Sequence, residues 1–119
     1  MSEDLIQIAQ SLARMGDDRR LLVNLFRIYL DDAPKKMAAL DAAWAEGNLA
    51  AVERLAHSLK GASSTVGASA VHEAALLVEQ ATKEGDRTKA QSAYLRLQQV
   101  VAQTLAAMVA FCETIEANG

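Results

Sequence analysis

The sequence predicts an all-α protein that folds as an antiparallel four-helix bundle with an additional short N-terminal helix. The chain has one proline and only 4% aromatic residues, unlike the β-branched and aromatic composition of strands. Its apolar residues recur at helical spacing, and glycines separate these stretches. With 119 residues, of which 51% are hydrophobic, we expect a single domain over residues 1–119 with one core.

The first predicted helix is short and spans about residues 3–15. Ser2, Glu3 and Asp4 provide a cap and early acidic charge before an amphipathic pattern. Gly16 follows the last apolar position and ends the helix. A helix of this length needs support from the rest of the bundle.

The second predicted helix is long, spans about residues 18–46 and contains Pro34. Proline removes a backbone donor and disfavours helical geometry at the residue before it. The segment is therefore either one kinked helix or two helices broken at Asp32–Ala33. Because the apolar pattern resumes in phase after the proline, we expect one helix that is kinked near Pro34.

Three further helices follow, and each begins after a side chain that favours helix N-termini. They span about residues 49–65 after Asn48, 70–84 after Ser69 and 87–117 after Asp86. The last one is apolar on most faces between Val100 and Cys112. We therefore expect this helix to be heavily buried.

Charge and cysteine content exclude several functional classes. A net charge of −3 provides no basic field for nucleic acid, so we expect no nucleic-acid partner. No apolar run reaches the roughly 18 residues of a membrane span, so we expect no direct membrane insertion. Cys112 is the only cysteine, which excludes a disulfide framework and fits a cytoplasmic location. No heptad seam beyond the bundle's own is visible, and we expect a monomer.

The third helix carries a histidine on a face that points away from its core. The predicted core positions of this helix lie within a sector of roughly 100°: Val52, Leu55, Ala56, Leu59 and Ser63. A second face, spaced i, i+3, i+4 and i+7, contains His57, Lys60, Gly61 and Ser64. Spacing alone leaves an alternative open, in which the helix ends at Lys60–Gly61 and His57 is an ordinary solvated residue.

Residues 56–68 read Ala-His-Ser-Leu-Lys-Gly-Ala-Ser-Ser-Thr-Val-Gly-Ala. This segment resembles the signature of histidine-containing phosphotransfer (HPt) domains, AHxLKGxSxxxGA. The histidine, the lysine and both glycines of that signature are present here as His57, Lys60, Gly61 and Gly67. The family's helical bundle agrees with the fold expected from the apolar pattern.

The resemblance extends to both sides of the signature and covers about residues 17–86. Upstream, the chain has the F-x-x-x-L-x-D-A-P pattern from Phe26 and a Gly-Asn turn that ends at Asn48. Downstream, it has Val78-Glu79 where the family has Leu-Glu. Asn48, where aspartate is frequent, and Val78, where leucine is usual, depart from the pattern without touching the chemistry.

The resemblance implies a phosphoryl carrier in a phosphorelay rather than an enzyme with its own ATP site. His57 would accept a phosphoryl group from a phospho-aspartate of a response-regulator receiver domain and pass it to another response regulator. Lys60 would steady the phosphoryl oxygens and Gly61 would let the receiver approach. The partners would be receiver domains and an upstream hybrid sensor kinase. The chain would need no cofactor of its own, because the Mg²⁺ for transfer belongs to the receiver.

Three further residues are candidates for supporting roles in this site. Ser64 would hydrogen-bond near the phosphate, although such a serine more often bonds its own backbone. Glu79 would bond the second ring nitrogen of His57 and fix its tautomer, unless it is a solvated helix charge. Lys83 would add positive potential, or would only complement the end of its helix. Leu22, Phe26 and Ile28 are candidates for an apolar docking rim.

Two other functional classes remain as alternatives. One is a non-catalytic helical adaptor that binds a receiver or kinase without carrying phosphate. The other is a metal-dependent bundle enzyme, which would need inward-facing Glu and Glu-x-x-His pairs that do not occur here. His72, the second histidine, is expected to be a surface residue, and Cys112 an inert buried thiol. The sequence leaves open whether the chain is free-standing or a module of a hybrid kinase, and in which direction phosphate flows.

Overall fold

The computed structural model describes residues 5–118, and this part of the chain contains five helices and no strand. In chain order they are α1 (Ile8–Arg14), α2 (Arg19–Ala45), α3 (Leu49–Thr65), α4 (Ser69–Lys83) and α5 (Arg87–Asn118). The helix α4 packs against α3 and α5, and α2 packs against the same two helices from the other side. The helices α2 to α5 therefore form the expected bundle, and the all-α fold is confirmed.

The helix α1 begins later than the sequence suggested. The helix was expected from about residue 3, but it starts at Ile8. The backbone before it is bonded to the α3–α4 turn instead: Gln7 N–H donates to the Gly67 carbonyl at 2.8 Å, and the Leu5 carbonyl accepts from Ala70 N–H at 3.4 Å. These bonds hold the segment out of helical geometry. The predicted cap at Ser2, Glu3 and Asp4 lies outside the described residues.

The helix α2 continues through Pro34 without a break. The alternative of two helices separated at Asp32–Ala33 is therefore wrong, while the kink stays a prediction. Continuity follows from packing, because one buried face runs along the helix on both sides of the proline. That face consists of Leu22, Phe26, Tyr29, Ala33, Met37 and Leu40. Burial of this continuous face offsets the loss of the backbone bond that Pro34 cannot donate.

Side-chain caps begin three of the four bundle helices. Asp18, Asn48 and Asp86 each accept a bond from the backbone N–H three residues further on, at 3.0, 3.1 and 3.0 Å. The expected cap at Ser69 is wrong, since Ser69 is the first residue of α4 and the preceding Ala68 makes no side-chain cap. The Ser69 hydroxyl instead accepts a bond from Gln7 Nε2 at 3.3 Å.

The helix α5 is less buried than the sequence suggested. One face enters the core through Ala90, Tyr94, Leu97, Val100, Val101, Thr104, Met108 and Cys112. The opposite face exposes Leu95 and Val109, because α4 and α2 cover α5 from one side.

A stretch of 18 residues in α5 has a mean hydropathy of 1.4, enough by length and composition alone to cross a membrane. The expectation that no stretch reaches this limit is therefore wrong, although a core helix of a bundle can meet the same limit.

The α3–α4 turn depends on a glycine that packs closely against α1. Gly67 has a φ of +72°, in the left-handed region. A Cβ atom added there would lie 2.3 Å from Ser11 Oγ. Ser11 is fully buried, so its hydroxyl has little room to move. Gly47 has nearly the same φ, +71°, but its Cβ position is open.

These two glycines give a matched prediction for stability. We expect Gly47→Ala to lower the free energy of unfolding by about 1 kcal/mol, from left-handed strain alone. Gly67→Ala should cost at least about 1 kcal/mol more, because it adds the steric overlap with Ser11. Urea unfolding of both variants measures the difference. Equal losses would show that α1 does not pack as described.

Candidate functional site

The helix α3 presents His57 to solvent while its opposite face enters the core. The expected core positions Val52, Ala56, Leu59 and Ser63 are fully buried, whereas the His57 side chain is 66% exposed. Leu55, the fifth expected position, is half-buried against the core. The helix is held in this rotation by apolar packing and by the buried hydrogen bond between Ser63 Oγ and Tyr29 Oη, 2.7 Å long.

The helix does not end at Gly61, so the alternative of a helix terminus beside His57 is wrong. The helix α3 continues to Thr65, whose hydroxyl donates to the Gly61 carbonyl at 3.2 Å. The left-handed glycine that follows the helix is Gly67. Gly61 has open space where a Cβ would stand and no positive φ. Neither packing nor backbone conformation within this chain requires glycine at position 61.

A buried carboxylate on α4 connects the residues around His57. The Glu79 side chain is only 6% exposed. Its Oε2 atom accepts a hydrogen bond from His57 Nδ1 at 2.8 Å, and its Oε1 atom accepts one from Lys60 Nζ at 2.7 Å. The Lys83 ammonium lies 3.5 Å from Oε2. Glu79 is therefore a buried partner of the histidine and not a solvated helix charge.

The surrounding cations hold Glu79 in its ionised form. The hydrogen bond from Lys60 is the largest influence and, with the bond from His57, lowers the pKa of Glu79 from its ordinary value near 4.5 to about 2. Burial acts in the opposite direction but is outweighed. A carboxylate can only accept, so the proton of the neutral imidazole must reside on Nδ1. The lone pair is then on Nε2, at the other side of an exposed ring.

The exposure of Lys60 and the surroundings of Ser64 differ from what their positions on the face of His57 suggested. The Lys60 side chain is only 22% exposed, because it folds onto Glu79 instead of extending into solvent. Ser64 is exposed and lies outside the Glu79 cluster. It lines a separate depression at the α3–α4 turn together with Gly67 and His72. The structure thus brings together His57, Lys60, Glu79 and Lys83, with Gly61 one turn away.

Two neighbours of the site were not assigned a role from the sequence. His72, which was expected to be a surface residue, is half-buried, and its Nδ1 atom lies 3.3 Å from the Lys60 carbonyl, so this residue joins α4 to the backbone of α3. Arg54 lines the same depression as His57, Glu79 and Lys83. Arg54 precedes His57 by three residues, and this spacing was enough to predict that the two share a face of the helix. The contact of His72 joins two different helices, so residue spacing along the sequence could not predict it.

The cluster has the components of a nucleophilic site for an anionic group. The imidazole of His57 has a fixed tautomer and an exposed ring nitrogen, and an ammonium group lies nearby. At Gly61 no side chain covers the backbone. Among residues 5–118, no group of three or more His, Cys, Asp or Glu side chains is placed to hold a metal ion. The arrangement suits transfer of a group to and from His57.

Comparison with known proteins gives two matches. The family model described as Hpt domain matches residues 24–110. The X-ray structure of a rice protein, assigned as a histidine-containing phosphotransfer protein, superposes with a TM-score of 0.75 at 20% sequence identity, over 97% of this chain and 86% of that one. This structural similarity shows a shared fold. No curated protein sequence gives a significant match.

The low pKa of Glu79 predicts a pH-dependent contribution to stability. A carboxyl group whose pKa is lower in the folded state stabilises the fold above its unfolded pKa, and this stabilisation is lost as pH falls from about 4.5 to 2. The lowered pKa corresponds to about 3 kcal/mol. We therefore expect Glu79→Gln to lower the free energy of unfolding at neutral pH. Near pH 2, the free energies of unfolding of the variant and of the native protein should become similar.

Urea unfolding of both proteins from pH 7 to pH 2 measures this convergence. Glu73→Gln is the matched control, because Glu73 is an exposed glutamate on the same helix with no ion pair among the described residues. A difference between Glu79→Gln and the native protein that stays constant over this range would contradict the ion-paired state of Glu79.

Proposed function

Since the chain belongs to the Hpt domain family, we propose that it is a phosphoryl carrier of a phosphorelay and that His57 carries the phosphoryl group. Hpt domain proteins are phosphocarriers rather than catalysts, and they interact with receiver domains and kinases. We assign the donor as a receiver-domain phospho-aspartate and the acceptor as another response regulator. One observation carries the assignment: His57 is exposed at one ring nitrogen while the other is bonded to a buried carboxylate.

The transfer step follows from the tautomer of His57. The lone pair of Nε2 attacks the phosphorus of the acyl phosphate, the new N–P bond forms, and the P–O bond to the aspartate breaks. The aspartate carboxylate leaves with the electron pair of that bond. Because Nδ1 keeps its proton, the phosphorylated ring gains positive charge, which the Glu79 carboxylate stabilises. The reverse step returns the phosphoryl group to an aspartate of the next receiver.

Lys60 is suited to neutralise the phosphoryl oxygens. Side chains of a helix lean toward its N-terminus, so Lys60, three residues after His57, leans back toward the imidazole. Its ammonium already lies within 2.7 Å of the carboxylate that bonds the ring. Lys83, which also contacts Glu79, adds positive potential on the α4 side. In-line positioning and charge neutralisation are the main requirements of phosphoryl transfer.

The receiver would dock over the exposed face around His57 and Gly61. Of the three apolar candidates for a docking rim, Leu22 and Phe26 are fully buried in the core and are excluded. Ile28 is 64% exposed and Leu21, seven residues earlier on the same face of α2, is 42% exposed. These two residues provide apolar surface on α2. We propose that Mg²⁺ is supplied by the receiver, that a hybrid sensor kinase acts upstream, and that the exchange takes place in the cytoplasm.

The direct test of this function uses the two histidines of the chain. A phosphorylated receiver domain should transfer labelled phosphate to the native protein, and the label should be acid-labile and alkali-stable. His57→Gln should abolish labelling, because no nucleophilic ring nitrogen remains. His72→Gln, the matched control, should retain the label. If a panel of phosphorylated receivers leaves the folded native protein unlabelled, a role as a non-catalytic adaptor replaces the carrier.

Gly61 gives a second prediction, in which stability and transfer change in opposite directions. Its Cβ position is open and its φ is not positive, so Gly61→Ala and Gly61→Leu should each raise the free energy of unfolding by about 0.5–1 kcal/mol through helix propensity. The leucine variant should nevertheless accept phosphate more slowly, because its side chain holds the receiver away from His57.

Urea unfolding and the rate of label transfer, measured on the same preparations, check both parts of this prediction. The alanine variant separates the effect of helix propensity from the effect of bulk. Transfer to Gly61→Leu at the native rate would exclude a role of this glycine in receiver approach.

A further inference from the structure

Arg54 lies on the same exposed ridge of α3 as His57. This ridge consists of four exposed residues at spacings of four, three and four positions: Ala50, Arg54, His57 and Gly61. Ala50 and Gly61 at the ends of this row are small. Arg54 is therefore the large cation nearest to His57 along the outward face of the helix.

Arg54 has no partner within the described part of the chain. Its guanidinium group forms no ion pair or hydrogen bond with any residue between 5 and 118. Lys60 and Lys83, the other two cations beside His57, are both engaged with Glu79. The depression next to His57 also contains Glu53 and Glu79. With Lys60 included, the site has three cations and two carboxylates, so it is locally positive in a chain of net charge −3.

A partner that reaches His57 must also cover Arg54. The two Cα atoms are three residues apart, about 4.5 Å along the helix axis. A protein interface that buries about 800 Å² on each side extends well beyond this distance. Covering a guanidinium group without an opposing anion is costly, because the group loses its hydration and gains no bond. A partner adapted to this surface therefore needs an acidic group opposite Arg54.

The direction of the side chain separates this role from that of Lys60. Helical side chains lean toward the N-terminus, which brings Lys60 toward the ring and takes Arg54 away from it. We propose, resting on the function proposed above, that Arg54 is a recognition residue whose guanidinium pairs with a carboxylate on the receiver surface beside its phospho-aspartate. Arg54 determines how often a receiver docks productively and leaves the transfer step itself unchanged.

Arg54→Gln tests this role against a matched arginine. Glutamine keeps helix propensity and removes the charge. Arg96→Gln is the control, because Arg96 is an exposed arginine of α5 that lines a groove between α4 and α5 and forms no ion pair among the described residues. Transfer from a phosphorylated receiver is measured over a range of receiver and salt concentrations. Labelling by phosphoramidate, a small donor that needs no docking, is measured on the same proteins.

For Arg54→Gln we expect kcat/KM for the receiver to fall about five-fold at low salt, with the maximal rate at saturating receiver unchanged. The loss should shrink at high salt, and Arg54→Glu should lose more than Arg54→Gln. Labelling by phosphoramidate should equal that of the native protein, and Arg96→Gln should behave as native in every assay.

Each other outcome overturns this assignment in a distinct way. Native kcat/KM in Arg54→Gln at low salt would show that no anion faces Arg54. An equal loss in Arg96→Gln would show only an effect of overall charge. Slower labelling by phosphoramidate would show that Arg54 acts on His57 or on the phosphoryl group and not on the partner. If the native protein accepts no phosphate from any receiver but is labelled by phosphoramidate, the proposed carrier function fails, and the assignment of Arg54 to receiver recognition fails with it.

Discussion

The contact between the Glu79 carboxylate on α4 and the two basic side chains on α3 is the interaction on which the site depends. A buried carboxylate is tolerated only when it is paired and hydrogen-bonded, and Glu79 meets this condition through Lys60 and His57. The same contact fixes three properties at once. It sets the tautomer of His57, it orients the imidazole, and it keeps an ammonium group beside the ring.

The bundle holds this contact in place from both sides of α3. On the α2 side, the buried bond between Tyr29 and Ser63 fixes the rotation of α3 about its axis, and burial raises the pKa of Tyr29 to about 12. On the α4 side, the Thr82 hydroxyl donates to the Glu79 carbonyl at 2.8 Å, one turn after that residue. A rotation of α3 that moved His57 from Glu79 would also break the contact with Tyr29.

Those features that depend on local spacing were accessible from the sequence. The bounds predicted for α2 to α5 agree with the structure to within one residue at each end. The caps at Asn48 and Asp86 follow from residue type. The outward face of His57 also follows from helical period alone. Contacts between helices were not accessible in this way. The register of α4 against α3 decides that Lys60 folds onto Glu79, and that His72 reaches the Lys60 carbonyl. The late start of α1 has the same origin, because Gln7 bonds to a turn sixty residues away.

Because His57, Lys60 and Glu79 all lie within helices, the backbone of the site has no hinge to move. The adjustments available to it are side-chain rotations, which in exposed residues take picoseconds to nanoseconds. The site also has only one exposed ring nitrogen, Nε2 of His57, and one open surface beside it, at Gly61. On the proposed function, donor and acceptor must therefore occupy the same surface in turn and can never be bound together. The order of events in such a relay is set by competition for a single rigid surface, so the relative concentrations of the two partners govern how fast a signal passes.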